Sequence, residues 1–179
     1  MSKNIIVTGA GRGIGFELAK LLSKQGHKVV ALSRNLQKLE KLRLKNLLCH
    51  TFDLTKEEDY SSLSNLLKSL SSVDVLINNA GFLVNKPFPE LTDSDFKQCF
   101  EVNVLGPVKL TRLLLPLMNK DSHVVNMSSM GAVQGSVKFP GLTAYSSTKA
   151  ALVNITELLA EEYKENGPRF NTLAIGAVQ

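Results

Sequence analysis

Six short apolar runs recur along the 179 residues, separated by segments whose apolar residues repeat at helical spacing. The runs fall at residues 4–8, 28–33, 47–52, 73–78, 123–128 and 169–174. Three are apolar without interruption: Ile5-Ile6-Val7, Val29-Val30-Ala31-Leu32 and Val75-Leu76-Ile77. A strand with one wet face alternates polar and apolar residues. A strand covered on both faces does not. Uninterrupted runs therefore require parallel strands between two layers of helices.

The intervening segments supply those helices. Residues 13–25 carry Ile14, Leu18, Leu21 and Leu22 on one stripe and stop at Gly26, a helix-terminating residue. Residues 36–44 form a short second helix. Residues 56–70 place Leu63, Leu66, Leu67 and Leu70 together, with Thr55 and Glu58 as a capping box. Residues 92–118 open on Thr92-Asp93-Ser94-Asp95, and Pro107 and Pro116 should bend or interrupt them. Residues 144–166 form the last helix. The reading is α/β: a doubly wound parallel sheet in three α/β/α layers, one domain over residues 1–179. Ligands of such sheets bind at the carboxyl ends of the strands, so functional motifs should follow strands.

Several function classes are disfavoured. No apolar run reaches the ~20 residues of a membrane span. The N-terminus lacks the long apolar stretch of a secretion signal, so the expected location is cytoplasmic. Cys49 and Cys99 form no CxxC pair and read as reduced. His27, His50 and His123 are scattered, so no metal site is expected. The net charge is +5, with its densest cations at Arg34, Lys38, Lys41, Arg43 and Lys45. That cluster reads as a solvated helix face or, at Arg34, a phosphate contact rather than a nucleic-acid surface.

The first strand runs into Gly9-Ala10-Gly11-Arg12-Gly13-Ile14-Gly15, which opens the first helix. Glycines there let the backbone approach a pyrophosphate, and the helix N-terminus offers N–H groups and a positive dipole end. Where NAD-binding sheets carry an acid at the end of the second strand, this chain has Ser33-Arg34. Arg34 can grip a 2′-phosphate bidentately, and Arg12 can reach the same group. Two cations and no carboxylate select NADP(H). Asp53, before Leu54, can accept from an adenine amino group or cap the next helix. In Asn78-Asn79-Ala80-Gly81 the small residues allow approach to a ribose, while the amides can tie strands together.

Tyr145 and Lys149 lie four apart at the start of the last helix and share a face. A phenol titrates near ~10, and a neighbouring ammonium should bring it toward working pH. Ser128 and Ser129 end the fifth strand, where a hydroxyl can steady charge developing on a carbonyl oxygen. Alternation sends them to opposite faces; Ser128 is the choice, with Ser129 its neighbour. Asn103 is either a mid-helix polar residue or a kink whose freed carbonyl holds a water near Lys149. Apolar faces on residues 92–118 and 144–166 suggest pairing across a homodimer or homotetramer, or covering of the sheet.

These motifs, in this order, resemble the short-chain dehydrogenases/reductases, and among them reductases such as the 3-oxoacyl carrier-protein reductases. The resemblance implies a Rossmann fold and hydride transfer between NADP(H) and a carbonyl or alcohol. It implies Tyr145 as acid–base, Lys149 holding the nicotinamide ribose, Ser128 polarising the carbonyl and Asn103 positioning a proton-relay water. It also places Gly176 and Val178 beside the nicotinamide carboxamide. Three departures stand out. Residues 129–144, with Lys138-Phe139-Pro140-Gly141, are longer than usual and should shape substrate choice. Ile175-Gly176 replaces the usual Pro-Gly. The sequence stops at Gln179, where the family continues into a substrate-covering segment and a seventh strand. A contrasting reading is an NADP(H)-binding sensor or partner-binding protein without turnover.

Overall fold

In the computed structural model, which describes residues 2–68 and 70–176, six strands form one sheet. They are β1 (Asn4–Thr8), β2 (Lys28–Ser33), β3 (Leu47–Thr51), β4 (Val75–Asn78), β5 (His123–Ser129) and β6 (Arg169–Ile175). Their order is β3-β2-β1-β4-β5-β6, and every neighbouring pair is parallel. The chain winds outward from β1 to β3, returns beside β1 at β4, and winds outward the other way. Connections therefore diverge between β1 and β4, and a crevice opens at their carboxyl ends.

Both faces of the sheet are covered, as the uninterrupted runs require. Ile6 packs with Leu63, Leu76, Leu110 and Val124 on one side. Its neighbours Ile5 and Val7 pack with Ala19, Val29 and Leu39 on the other. The helices doing this are α1 (Gly13–Lys24), α2 (Gln37–Glu40), α3 (Glu57–Leu67), α4 (Asp93–Phe100), α5 (Gly106–Leu114) and α6 (Thr143–Glu162).

Several boundaries differ from the sequence reading. The second helix does not reach residue 44. After Leu39 its apolar face runs out of core: Leu42 is exposed, and Arg43 (φ +48°) turns the chain toward β3. Thr55 does not cap α3. Its hydroxyl donates to Asp53 at 2.8 Å, and α3 begins at Glu57 without a side-chain cap. Glu57, Glu58 and Asp59 in the first turn favour that end through the helix dipole instead. Residues 163–166 turn rather than extend α6, and β4 begins at Val75 rather than Val73.

The expected long helix is divided. Thr92 and Asp95 form the capping box of α4. A π-turn at Glu101–Leu105 follows, closed by the Gly106 N–H on the Glu101 carbonyl. Pro107 has no N–H for the Asn103 carbonyl, its partner in an uninterrupted α-helix, and the widened turn lies just before it. A 3-10 turn at Leu115–Leu117 holds Pro116.

Candidate active site

The glycine loop is pressed against the end of β4. Gly9 sits at φ +66°, and a Cβ there would lie 2.8 Å from Ala80 Cα. A Cβ on Gly15 would lie 2.5 Å from Asn79 Nδ2. One on Gly11 would collide with the Asn35 carbonyl. Gly11 and Gly15 thus allow the loop to close on its neighbours and do not themselves line the groove. Thr8, the residue that opens the glycine motif, is the clamp: its hydroxyl accepts the N–H groups of Asn79 and Ala80, each at 3.0 Å. Asn79 returns a bond from Nδ2 to the Thr8 carbonyl at 3.0 Å. A hydroxyl ending a strand just before a glycine loop was the available signal. Gly13, by contrast, faces open space at the N-terminus of α1, where Arg12 makes no side-chain cap. The first N–H groups of a helix have no partner within it.

From there a cleft of about 500 Å³ runs across the crevice. Thr8, Gly9, Arg12, Gly13 and Ile14 form one wall, Ser33 and Arg34 another, and Asp53, Leu54, Asn79, Ala80 and Gly81 close it. Burial pushes the Asp53 carboxyl up, but the Thr55 N–H and hydroxyl and the nearby Arg34 and Lys56 charges together hold it below its ordinary value. The Thr55 bonds occupy Oδ1, so Asp53 organises the turn before α3 as well as facing the cleft.

A second cavity of about 310 Å³ shares Ile14, Asn79 and Gly81 with the first. It is lined by Ser128, Ser129, Tyr145, Lys149, Leu83, Met127, Ile175 and Gly176. The two make one groove, a long arm ending at Arg34 and a short arm ending at Tyr145. Val178 lies outside the described residues.

Lys149 is 3% exposed and donates to the Met127 carbonyl at 2.7 Å. Burial lowers its pKa to about 8. Its Nζ stands 5.8 Å from the centre of the Tyr145 ring. The expected lowering of the tyrosine by the lysine is not found here: burial raises the Tyr145 hydroxyl above its ordinary value, and a hydrogen bond with Ser129 pulls the other way. The ammonium is turned onto the β5 backbone rather than the phenol.

The two serines at the end of β5 have different partners. Strand alternation does separate the two. Ser128 is buried and gives its hydroxyl to the Lys149 carbonyl at 3.0 Å, tying α6 to β5. Ser129 lines the cavity with Tyr145, its hydroxyl accepts the Gly131 N–H at 3.3 Å, and it favours the ionised phenol. Asn103 is fully buried. Its Oδ1 accepts the Phe82 N–H at 2.7 Å, and its Nδ2 donates to the Phe82 carbonyl at 2.8 Å and to Thr148 Oγ1 at 2.9 Å. A Cβ on Gly81 would lie 3.6 Å from both Asn103 Oδ1 and Lys149 Nζ. Deeper, Asn78 donates to Asn126 at 2.8 Å, and Asn126 to Thr156 at 2.9 Å, joining β4, β5 and α6.

Among the described residues no cluster of three or more His, Cys, Asp or Glu could hold a metal, and no helix is long and apolar enough to cross a membrane.

A doubly wound parallel sheet with a glycine-loop crevice at the carboxyl ends of its strands defines an α/β domain of the Rossmann type. The sequence profile of the short chain dehydrogenases matches residues 3–179, and the chain belongs to that family. An uncharacterized oxidoreductase of Staphylococcus saprophyticus is 35% identical over 98% of this chain and 74% of its own. The L-fucose dehydrogenase of Bos taurus is 34% identical over 98% of this chain and 66% of its own. Among solved structures, a short-chain dehydrogenase from Streptomyces avermitilis superposes with a TM-score of 0.91 at 33% identity, over 100% of this chain and 67% of that one. A 3-ketoacyl-(acyl-carrier-protein) reductase from Brucella melitensis complexed with NADH gives 0.88 at 29%, over 98% of this chain and 75% of that one. The chain thus spans two thirds to three quarters of the length of these proteins. It is an oxidoreductase of the short-chain dehydrogenase type, a family that uses nicotinamide cofactors on small molecules.

Proposed function

We propose that the chain transfers hydride between NADP(H) and a carbonyl or alcohol substrate. The observation that carries this reading is the single groove with a hydroxyl pair and a buried ammonium at one end and two arginines at the other. The residues fit the cofactor. Open space at Gly13 and the uncapped N-terminus of α1 suit a pyrophosphate. Arg12 and Arg34, with Ser33 in place of an acid, suit a 2′-phosphate. Ala80 and Gly81 leave room for a ribose, and Ile14 and Gly176 flank the short arm.

When bound, the cofactor would supply or accept the hydride. The Tyr145 hydroxyl passes a proton to the substrate oxygen in reduction and takes it back in oxidation. Ser129 donates a hydrogen bond to the same oxygen, which favours the developing charge. Lys149, released from the Met127 carbonyl, can hold the nicotinamide ribose. Asn103 keeps Phe82 and Thr148 in place around this set, and its carbonyl, left without a proline N–H, is available to a relay water. Exposed Phe100, Leu105 and Leu158 support a homo-oligomer formed through α4 to α6.

The test is steady-state oxidation of NADPH and of NADH against a carbonyl panel, with Arg34→Asp alongside. Wild type should prefer NADPH, and the variant should lose NADPH far more than NADH. Equal losses would overturn the 2′-phosphate assignment. Binding of NADPH with no carbonyl consumed would overturn the enzyme.

A further inference from the structure

Tyr60, on α3, is 5% exposed and stands behind the wall of the long arm rather than in it. It shares the buried stripe of that helix with Leu63 and Leu67. An aliphatic side chain would serve the stripe as well, but only a phenol adds a donor. The Tyr60 hydroxyl donates to the Leu54 carbonyl at 2.9 Å, and the Gly106 carbonyl lies 3.3 Å from the same oxygen. Burial, with the Glu101 and Asp53 charges, pushes its pKa well up, so it remains a donor at any working pH. The ring is held as firmly as the hydroxyl. It meets Phe52 edge-on with centroids 4.9 Å apart, and Lys109 Nζ, which pairs with Glu57, stands 4.2 Å from its centre.

The groups that Tyr60 touches belong to the cleft. Phe52 and Leu54 line the long arm, and so does Val102 of the π-turn. Leu54 is pressed onto Gly106, where a Cβ would lie 2.7 Å from the Leu54 Cβ. Gly106 in turn closes the π-turn that carries Val102, through its N–H on the Glu101 carbonyl. One hydroxyl therefore joins, from outside the cleft, two segments that wall it: the turn after β3 and the π-turn before α5. Asp53 and Arg34 lie on the same arm.

We propose that Tyr60 is a positioning residue for the adenine nucleotide, its hydroxyl holding Leu54 and the turn that carries Val102 at the separation which nucleotide binding requires. It touches no ligand and acts through Leu54. The proposal rests on the reading of the long arm as the nucleotide end of an NADP(H) site, and on the two carbonyl contacts for the part played by Tyr60.

Calorimetric titration of adenosine 2′,5′-bisphosphate and of adenosine 5′-diphosphate into the full chain measures this end of the groove without turnover. Tyr60→Phe keeps the ring and removes the donor. If the nucleotide must then hold Leu54 in place alone, Kd should rise by what the bond contributed, about two- to tenfold, and by the same factor for both nucleotides. Arg34→Asp should weaken the bisphosphate alone. Ser122→Ala controls for a general loosening of the fold. Ser122 is equally buried and gives its hydroxyl to the Val73 carbonyl at 2.8 Å, at the amino ends of β4 and β5. That variant should lower the urea midpoint as Tyr60→Phe does and leave both Kd values unchanged. Gly106→Ala, whose Cβ displaces Leu54 from the other side, should raise both Kd values with the phenol intact. Unchanged Kd values in Tyr60→Phe, a rise confined to the bisphosphate, or an equal rise in Ser122→Ala overturns the proposal and leaves the cofactor reading standing. A wild type that binds neither nucleotide, nor NADPH or NADH, overturns the cofactor reading and the proposal with it. Should Tyr60→Phe fail to fold, Gly106→Ala decides: raised Kd values support the proposal, and unchanged ones overturn it.

Discussion

Replacing Asn103 with alanine should destabilise the fold well beyond the average substitution. Its amide makes three hydrogen bonds, two partly buried ones to the Phe82 backbone and one buried bond to Thr148. Each contributes about 1 kcal/mol net, and stranding the Phe82 N–H and carbonyl adds part of their desolvation cost. Thr148 loses less, since its hydroxyl still donates to the Tyr145 carbonyl at 2.6 Å. The sum is about 3–4 kcal/mol. At this chain length each kcal/mol moves Tm by about 2–4 °C, so the midpoint should fall by roughly 6–16 °C. Urea unfolding followed by circular dichroism, with calorimetry beside it, measures both. Asn103→Ser should fall between the two. A loss below about 1 kcal/mol for the alanine variant would refute the clamp and return Asn103 to an ordinary helix position.

Three further outcomes follow from the same geometry. Ser129→Ala should lower kcat by about 10²–10³ with little change in stability, as removal of a donor to a developing oxyanion does. Ser128→Ala should keep kcat and cost about 1 kcal/mol of stability, because its hydroxyl is committed to the Lys149 carbonyl; the reverse pattern in steady-state kinetics would exchange the two roles. Lys149 should also make stability depend on pH. Its pKa is about 8 in the folded chain, against about 10.4 when exposed, so between those values the unfolded state binds more protons and stability rises with pH. Lys149→Met removes that rise, about 3 kcal/mol in size, and urea midpoints for the two proteins should converge from pH 8 toward pH 10.

The sheet was legible because its signal is local and repeated. Uninterrupted apolar runs such as Val29–Leu32 read as covered strands, and the glycines after the first of them read as a tight turn with close approaches, which Gly9, Gly11 and Gly15 make while Gly13 faces open space. The place of Arg34 on the cleft wall was legible because the end of β2 sets it. What escaped the sequence depends on where groups point. Ser128 and Ser129 are equivalent as letters, and only the pleat of β5 against α6 shows which hydroxyl meets Tyr145. The Tyr145–Lys149 spacing gives a shared helix face, yet the ammonium turns to the Met127 carbonyl, which periodicity cannot show. Thr55 has the composition of a cap, but Asp53 competes for its hydroxyl and wins. The π-turn was half visible: Pro107 foretold an interruption, though not that the helix would widen rather than bend.

The central step is the proton that Tyr145 is proposed to move. Single-turnover mixing of the NADPH-loaded protein with a methyl ketone, followed by loss of reduced-cofactor absorbance, measures that step. Wild type should consume the cofactor, and Tyr145→Phe should bind NADPH equally well and consume it about 10²–10⁴-fold more slowly. Equal rates in the two proteins would contradict the assignment of Tyr145 as the acid–base.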